Sequence, residues 1–327
     1  MNSILITGIS GFVGGHFTQY ILNSQPDNII HGVSRSKPSW DFIHNPDHCF
    51  DAITFHQCNL LDYAKINTII GEIQPDYILH LASFSSVAQS WRDPLSSFLN
   101  NTNAFLNIVE AVRIHRLNTK ILSVGSSEEY GIVKKSDLPL IEKKHLIPAN
   151  PYAVARVSEE HLAQIYAKGY NLNICCTRSF NHIGPGQSDQ FVVSSIARQF
   201  ADIAINHKKP VVKIGEESIV RDFIDVTDVI SAYDIILTNG VAGEVYNVCT
   251  GKGHSILDIV QCLSKITGIL VTVEQDTTLI RPVDNPELVG SFEKLHRATG
   301  WKPTCSFANS LEKIFEYWQT RLDLSAK

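Results

Sequence analysis

The chain has 327 residues, 44% of them apolar and 19% charged, and a formal net charge of −5. That excludes a disordered chain, and it excludes a nucleic-acid binder that works by bulk positive charge. No Lys/Arg run is present, and no apolar run nears the ~20 residues needed to span a bilayer.

Ile4-Leu5-Ile6 reads as a first strand and residues 14–22 as its helix. Gly8, Gly11 and Gly14 lie between them. A dinucleotide site needs glycines there for a tight turn, close backbone approach to a pyrophosphate and close helix–strand packing. The helix N-terminus then offers its free N–H groups to the phosphates. The alternative is a plain strand–helix turn. Residues 29–33 read as strand two, ending in Gly32-Val33-Ser34-Arg35. An acidic residue there would hold the ribose hydroxyl of NAD(H). Ser34 and Arg35 suit a 2′-phosphate instead, which favours NADP(H) and leaves NAD(H) as the alternative. Arg35 could equally be a solvated loop cation. Residues 53–55 read as strand three. The polar Asn59-Leu60-Leu61-Asp62 after it suits either an adenine edge or a helix N-cap.

Helices are expected over residues 64–73 and 95–111, and buried strands over 77–81, 120–124 and 174–177. Alternating strands and helices with apolar strands imply an α/β fold, a doubly wound parallel sheet of Rossmann type. The strand at 120–124 runs into Ser126-Ser127-Glu128. Ligands sit at the carboxyl ends of such strands, so these residues are expected beside a nicotinamide. Loop and capping roles suit the same residues. Asn150-Pro-Tyr-Ala-Val-Ala-Arg156 opens a further helix, with Tyr152 and Arg156 one turn apart on a shared face. A cation there favours the phenolate, so Tyr152 could exchange a proton with a sugar oxygen while hydride moves.

Beyond residue 178 the pattern changes. Asn181-His-Ile-Gly-Pro-Gly-Gln187 is loop chemistry. Helices are expected at 193–203, 226–237, 256–266 and 307–322, with short strands at 211–214, 245–248 and 271–273. This predicts a nicotinamide-binding domain over 1–178 and a smaller α/β substrate lobe over 179–327, with interleaved segments. Seven cysteines show no CxxC and no metal-ligand spacing, so no metal site is expected. Cys175 and Cys176 read as buried thiols. The chain opens directly into a strand, without a signal-peptide pattern, which suits a cytoplasmic protein.

These landmarks carry a resemblance. The chain resembles the extended short-chain dehydrogenase/reductases of the nucleotide-sugar epimerase/dehydratase group. The matching stretches are the glycine loop, His80-Leu81-Ala82, residues 87–94, Asn103, Ser126 to Gly131, Asn150 to Tyr152, Arg178 to Gly186 and Arg221-Asp-Phe223. Within that group it is most similar to the GDP-4-keto-6-deoxymannose reductases. That likeness rests on Arg178-Ser-Phe-Asn-His-Ile-Gly-Pro-Gly-Gln187, Val245-Tyr-Asn-Val-Cys-Thr-Gly251, Arg281-Pro282 and Thr299-Gly-Trp-Lys-Pro303.

The resemblance implies a catalytic set of Ser126, Glu128, Tyr152 and Arg156. It implies cofactor contacts from Gly8, Gly11, Phe12, Val13, Gly14, Ser34, Arg35, Asn59, Leu60, Leu81 and Ala82, with Tyr152 and Arg156. Ser127, Asn181, Arg198, Arg221 and Arg281 would meet a GDP-linked deoxyhexose. The implied reaction is hydride transfer to a C4 ketone, with dehydration or epimerisation as alternatives. No nucleic-acid or membrane partner is implied, and a homodimer is expected. Leu99, Phe105, Leu106 and Ile108 would pair with Val157, Leu162 and Ile165 across it, or simply face the sheet. The departure is Arg156, where the group has Lys. Arg keeps the charge but is planar, bulkier and always protonated. A cofactor-binding relative without turnover is therefore a third reading.

Overall fold

The computed structural model describes residues 1–280 and 285–326. The first half alternates as expected: β1 Ser3–Thr7, α1 Phe12–Ser24, β2 Ile29–Ser34, α2 Pro46–Asp51, β3 Ile53–Gln57, α3 Tyr63–Ile73 and β4 Tyr77–His80. Then come α4 Val87–Arg92, α5 Pro94–Phe98, α6 Ala104–Ile114, β5 Lys120–Ser126, α7 Pro151–Tyr170 and β6 Asn173–Ser179. The remainder comprises β7 Asn181–Ile183, α8 Val192–Asn206, β8 Val211–Ile214, β9 Val220–Asp225, α9 Val226–Asn239 and β10 Val245–Val248. It closes with β11 Gly253–Ser255, α10 Ile256–Thr267, β12 Thr272–Gln275, β13 Glu287–Leu288, α11 Glu293–Thr299 and α12 Phe307–Ala326.

The main sheet has seven parallel strands in the order 3-2-1-4-5-6-10. Its apolar strands bury both faces, so neighbouring residues serve different cores. Ile4 and Ile6 pack with α1 and α9, while Leu5 packs with α3 and α6. Leu79 and Leu122 repeat the first side, and Ile78 and Ile121 the second. This is why those strands read as continuous hydrophobic runs. The fold class is the Rossmann-type α/β arrangement expected.

A second core joins α8, α10 and α12 to β8 and β9. There β9 pairs with β7, β11 and β13, and β12 pairs with β8. The chain crosses between these parts more than once, because β10 returns to the edge of the main sheet beside β6.

Three differences from the sequence expectation have local causes. The helix expected over 95–111 is broken by a π-helical turn at Leu99–Asn103. That turn directs Asn101 and Thr102 inward. The Asn101 Oδ1 accepts hydrogen bonds from Ser83 Oγ at 3.0 Å and Phe84 N at 2.9 Å, and Thr102 Oγ1 donates to Ala155 O at 2.9 Å. Asn103, the landmark of the resemblance, is exposed. Strand β9 was not expected, because Arg221, Asp222 and Asp225 interrupt its apolar pattern. All three are buried, and the Asp222 carboxylate accepts from Thr250 N, Thr250 Oγ1 and Gly251 N at 2.6–2.9 Å. Finally, Phe105 and Ile108 are fully buried against the sheet and cannot serve a subunit contact.

Candidate active site

Between the two cores lies a cleft of about 1490 Å³, running from the glycine loop to Thr278, Leu279 and Ile280. This exceeds the roughly 300–1,000 Å³ of a single small-ligand pocket. Its described lining carries the cations Arg35, Arg92, Arg156, Lys213 and Arg221 against the acids Glu128, Asp189 and Glu216, which suits anionic ligands.

At one end, the chain between β1 and α1 is shaped by Gly8 and Gly14. Gly8 has φ +70°, and a Cβ there would stand 2.7 Å from Ala82 N. A Cβ on Gly14 would stand 2.4 Å from Ile9 O. Gly11 is the N-cap of α1, and no side chain caps that helix. Phe12, Val13 and Gly14 therefore present first-turn N–H groups to the cleft, the geometry a pyrophosphate needs. A nicotinamide dinucleotide thus fits the residues present. Ser34 and Arg35 line the same end, Arg35 exposed and Ser34 donating to Ser36 O at 2.7 Å. Asn59, Leu60, Leu81 and Ala82 complete this wall. The N-cap of α3 is Asp62, which accepts from Lys65 N at 3.1 Å, so Asn59 is left to line the cleft.

At the carboxyl end of β5, Ser126 caps a short 3-10 turn. Its Oγ accepts from Glu128 N at 3.2 Å, which leaves its own proton for a ligand oxygen. Its N–H donates to Glu129 Oε1 at 2.6 Å, so the buried Glu129 holds the turn from behind. Burial, then the neighbouring Glu160, push the Glu129 carboxyl well above the usual range. Asn150 caps α7 through Ala153 N at 2.8 Å, and its amide donates to Glu128 Oε2 at 3.1 Å. Tyr152 follows on the same helix, 5% exposed and facing the cleft. Arg156 Nε donates to its hydroxyl at 3.3 Å, with the guanidinium 5.5 Å from the ring centre. Burial opposes the Arg156 charge, but Tyr152 and Glu159 outweigh it, so its pKa lies above the usual value.

Ser127, in the turn after β5, lines the cleft, and from the lobe side Asn181 and Arg221 do so as well. Arg221 is anchored by Nη1 donating to Val220 O at 2.7 Å and Asn285 O at 2.9 Å. Arg198 requires a correction. It does not line the cleft; its guanidinium pairs with Asp189 and lies 5.5 Å from the Trp318 ring centre. Its partner Asp189 does line the cleft, so Arg198 reaches the wall only through that acid. Arg281 lies outside the described residues. Glu159 was missed by sequence reasoning; its only signal is the i,i+3 spacing from Arg156.

Beside Glu159, His80 is fully buried with Nδ1 2.7 Å from Thr7 Oγ1. Burial, then Arg156, push its pKa down to about 3. An unfolded histidine titrates near ~6.5, so between there and about 3 the unfolded chain takes up a proton that the folded one refuses. Stability is therefore lost as pH falls, by about 1.4 kcal/mol per pH unit from this group. Buried carboxyls such as Glu129 act in the opposite sense, so the test is a difference. Denaturant unfolding at pH 7 and pH 5 should show a smaller loss for His80→Asn than for the wild type. Equal losses would refute the assignment.

Comparison with known proteins agrees with this geometry. A family model described as GDP-mannose 4,6 dehydratase matches residues 5–314. The GDP-6-deoxy-D-mannose reductase of Pseudomonas aeruginosa is 32% identical over 98% of both chains. A GDP-mannose 4,6-dehydratase of Yersinia enterocolitica is 26% identical, over 93% of this chain and 90% of its own. Among solved structures, RMD from Pseudomonas aeruginosa complexed with NADPH is 31% identical with TM-score 0.85, covering 98% of this chain and 100% of that one. UDP-glucose 4-epimerase of Thermotoga maritima shares the fold at TM-score 0.87 and 24% identity, over 98% of this chain and 99% of its own. Among the described residues no helix is long and apolar enough to cross a membrane. The chain belongs to the GDP-mannose 4,6-dehydratase family of NAD(P)-dependent nucleotide-sugar enzymes.

Proposed function

We propose that the protein is a reductase that adds hydride to the C4 ketone of a GDP-4-keto-6-deoxyhexose, giving a GDP-6-deoxyhexose such as GDP-D-rhamnose. The observation that carries this reading is the Tyr152–Arg156 pair facing the same cleft as Ser126 and the glycine loop. That set supplies a proton and orients a carbonyl, which is what ketone reduction requires. The 32% identity to the reductase, against 26% to the dehydratase, supports it.

When bound, the reduced nicotinamide supplies the hydride. The first-turn N–H groups of α1 would hold its pyrophosphate. The Ser126 hydroxyl donates to the ketone oxygen, and the Tyr152 phenol gives its proton to the alkoxide that forms. Asn181, Ser127 and Arg221 contact the sugar and its diphosphate, and Arg281 is proposed to join them. Cofactor contacts come from Gly8, Gly11, Phe12, Val13, Gly14, Asn59, Leu60, Leu81 and Ala82. Ser34 and Arg35 favour NADPH. The nucleotide-binding part comprises residues 1–178, with the strand at 245–248 returning to it. We also propose a homodimer through α5–α7, where Leu95, Leu99, Val154 and Ile165 are exposed, and a cytoplasmic location, in keeping with seven free cysteines.

A second reading is dehydration, favoured by Glu128 beside Ser127 at the cleft, where a carboxylate could remove a C5 proton. Against it, Glu128 is already held by the Asn150 amide. The decisive assay follows oxidation of NADPH with GDP-4-keto-6-deoxymannose made in place. Stoichiometric oxidation supports the reductase. No oxidation, with dehydration of GDP-mannose instead, supports the second reading. Arg35→Ala should raise KM for NADPH about ten-fold, by loss of a charge-assisted contact, and leave NADH unaffected. Equal effects on both cofactors would remove Arg35 from the 2′-phosphate.

A further inference from the structure

Tyr152, Arg156 and Glu159 share one face of α7, two turns long. The Arg156 fork is gripped at two points: Nε donates to the Tyr152 hydroxyl at 3.3 Å, and Nη1 donates to Glu159 Oε2 at 2.8 Å. Glu159 is itself immobilised. Its Oε1 accepts from Ser123 Oγ on β5 at 2.5 Å and lies 3.9 Å from His80 Nε2 on β4. His80 in turn meets Thr7 on β1 at 2.7 Å. Arg156 and Glu159 are 4% and 2% exposed. A planar fork held at both ends has one orientation, whereas a lysine at 156 would bring a single nitrogen.

We propose that Glu159 is a positioning residue for the reaction: its carboxylate aims the Arg156 guanidinium at Tyr152 and cancels part of its charge. This rests on the reading of Tyr152 as the proton donor. The other groups facing the pair do not substitute for Glu159. Glu160 is engaged bidentately by Arg178 at 2.7 and 2.8 Å. Glu129 is driven toward its neutral form by burial and by Glu160. Burial likewise favours neutral His80, Cys176 and Tyr233. Burial raises the Glu159 carboxyl too, but Arg156 and the Ser123 hydroxyl oppose that rise, and Glu159 is the carboxyl group hydrogen-bonded to Arg156 itself.

The test compares wild type, Glu159→Gln, Glu159→Asp, Arg156→Lys and the Arg156→Lys/Glu159→Gln double variant. NADPH binding is read by fluorescence, and ketone reduction is followed across pH. Glu159→Gln should lower kcat about 10- to 100-fold, as small misplacements of catalytic groups do, with NADPH affinity changed by less than about three-fold. The guanidinium without its carboxylate would favour proton loss in the site, so the alkaline limb of kcat should move to lower pH. Glu159→Asp keeps the charge and should keep the limb while losing part of kcat. On the Arg156→Lys background the glutamine substitution should cost much less, since the fork it aims is gone.

An unmoved limb in Glu159→Gln, or equal losses on the two backgrounds, would make Glu159 a structural fastener and overturn the proposal. Should Glu159→Gln not fold, Glu159→Asp on the wild-type and Arg156→Lys backgrounds decides: a kcat loss confined to the wild-type background supports the proposal, and equal losses overturn it. A wild type that binds NADPH without turnover would sink the reductase reading itself, and this inference with it.

Discussion

Tyr152→Phe should lower kcat for ketone reduction by about 10²- to 10⁴-fold, the range for losing a positioned acid. NADPH binding should hardly change. The substitution removes one oxygen from a ring that is 5% exposed, so packing against the cleft wall is retained. What is lost is the hydroxyl proposed as proton donor, to which Arg156 Nε donates at 3.3 Å. Arg156 keeps its bond to Glu159 and is not left as an unpaired buried charge. The variant should therefore fold, bind cofactor and fail at chemistry. Steady-state kinetics with a parallel fluorescence titration of NADPH would check this. Retention of kcat within a few-fold would move the proton donor elsewhere, with Glu128 the next group to replace.

Gly8→Ala should weaken NADPH binding by about 100-fold or more and cost on the order of 1–3 kcal/mol of stability, since overpacking and backbone strain act together. Gly8 has φ +70°, a region that L side chains rarely adopt. The added methyl would stand 2.7 Å from Ala82 N and 2.8 Å from Ala82 Cα. These are backbone atoms of the segment following β4, and they cannot rotate aside as a side chain could. Relief requires β1 and the Leu81–Ala82 segment to separate, which moves the turn that leads into α1. The N–H groups of Phe12, Val13 and Gly14 that line the cleft would move with it. Thermal unfolding and cofactor titration on the same preparation separate the two effects. Near-native affinity in the folded variant would place the dinucleotide away from this turn.

Much of this was legible in the chain itself. Ile4-Leu5-Ile6, the glycine triplet and the apolar runs of β4 and β5 encode the parallel sheet, because strands covered on both faces need apolar residues at every position. The spacing of Tyr152 and Arg156 places them on one helical face for the same local reason. Other features have no local signature. Strand β9 was missed because Arg221, Asp222 and Asp225 become compatible with burial only through partners such as Thr250 and Asn285, distant in sequence. The π-helical turn depends on Asn101 meeting Ser83 and Phe84. Arg198 shares its loop-and-helix segment with true cleft residues, yet the rotation of α8 turns it toward Asp189 and Trp318.

Thus the sequence alone determined the fold class, the glycine turn and the pairing of Tyr152 with Arg156 on one helical face, since each rests on contacts between near neighbours or on a repeating period. Only the tertiary structure decided which charges balance one another: that Arg156 is gripped by Glu159, and Glu159 by Ser123 on another element. Electrostatic balance in a buried site depends on distances of a few ångströms between segments far apart in the chain, and no periodicity records those distances.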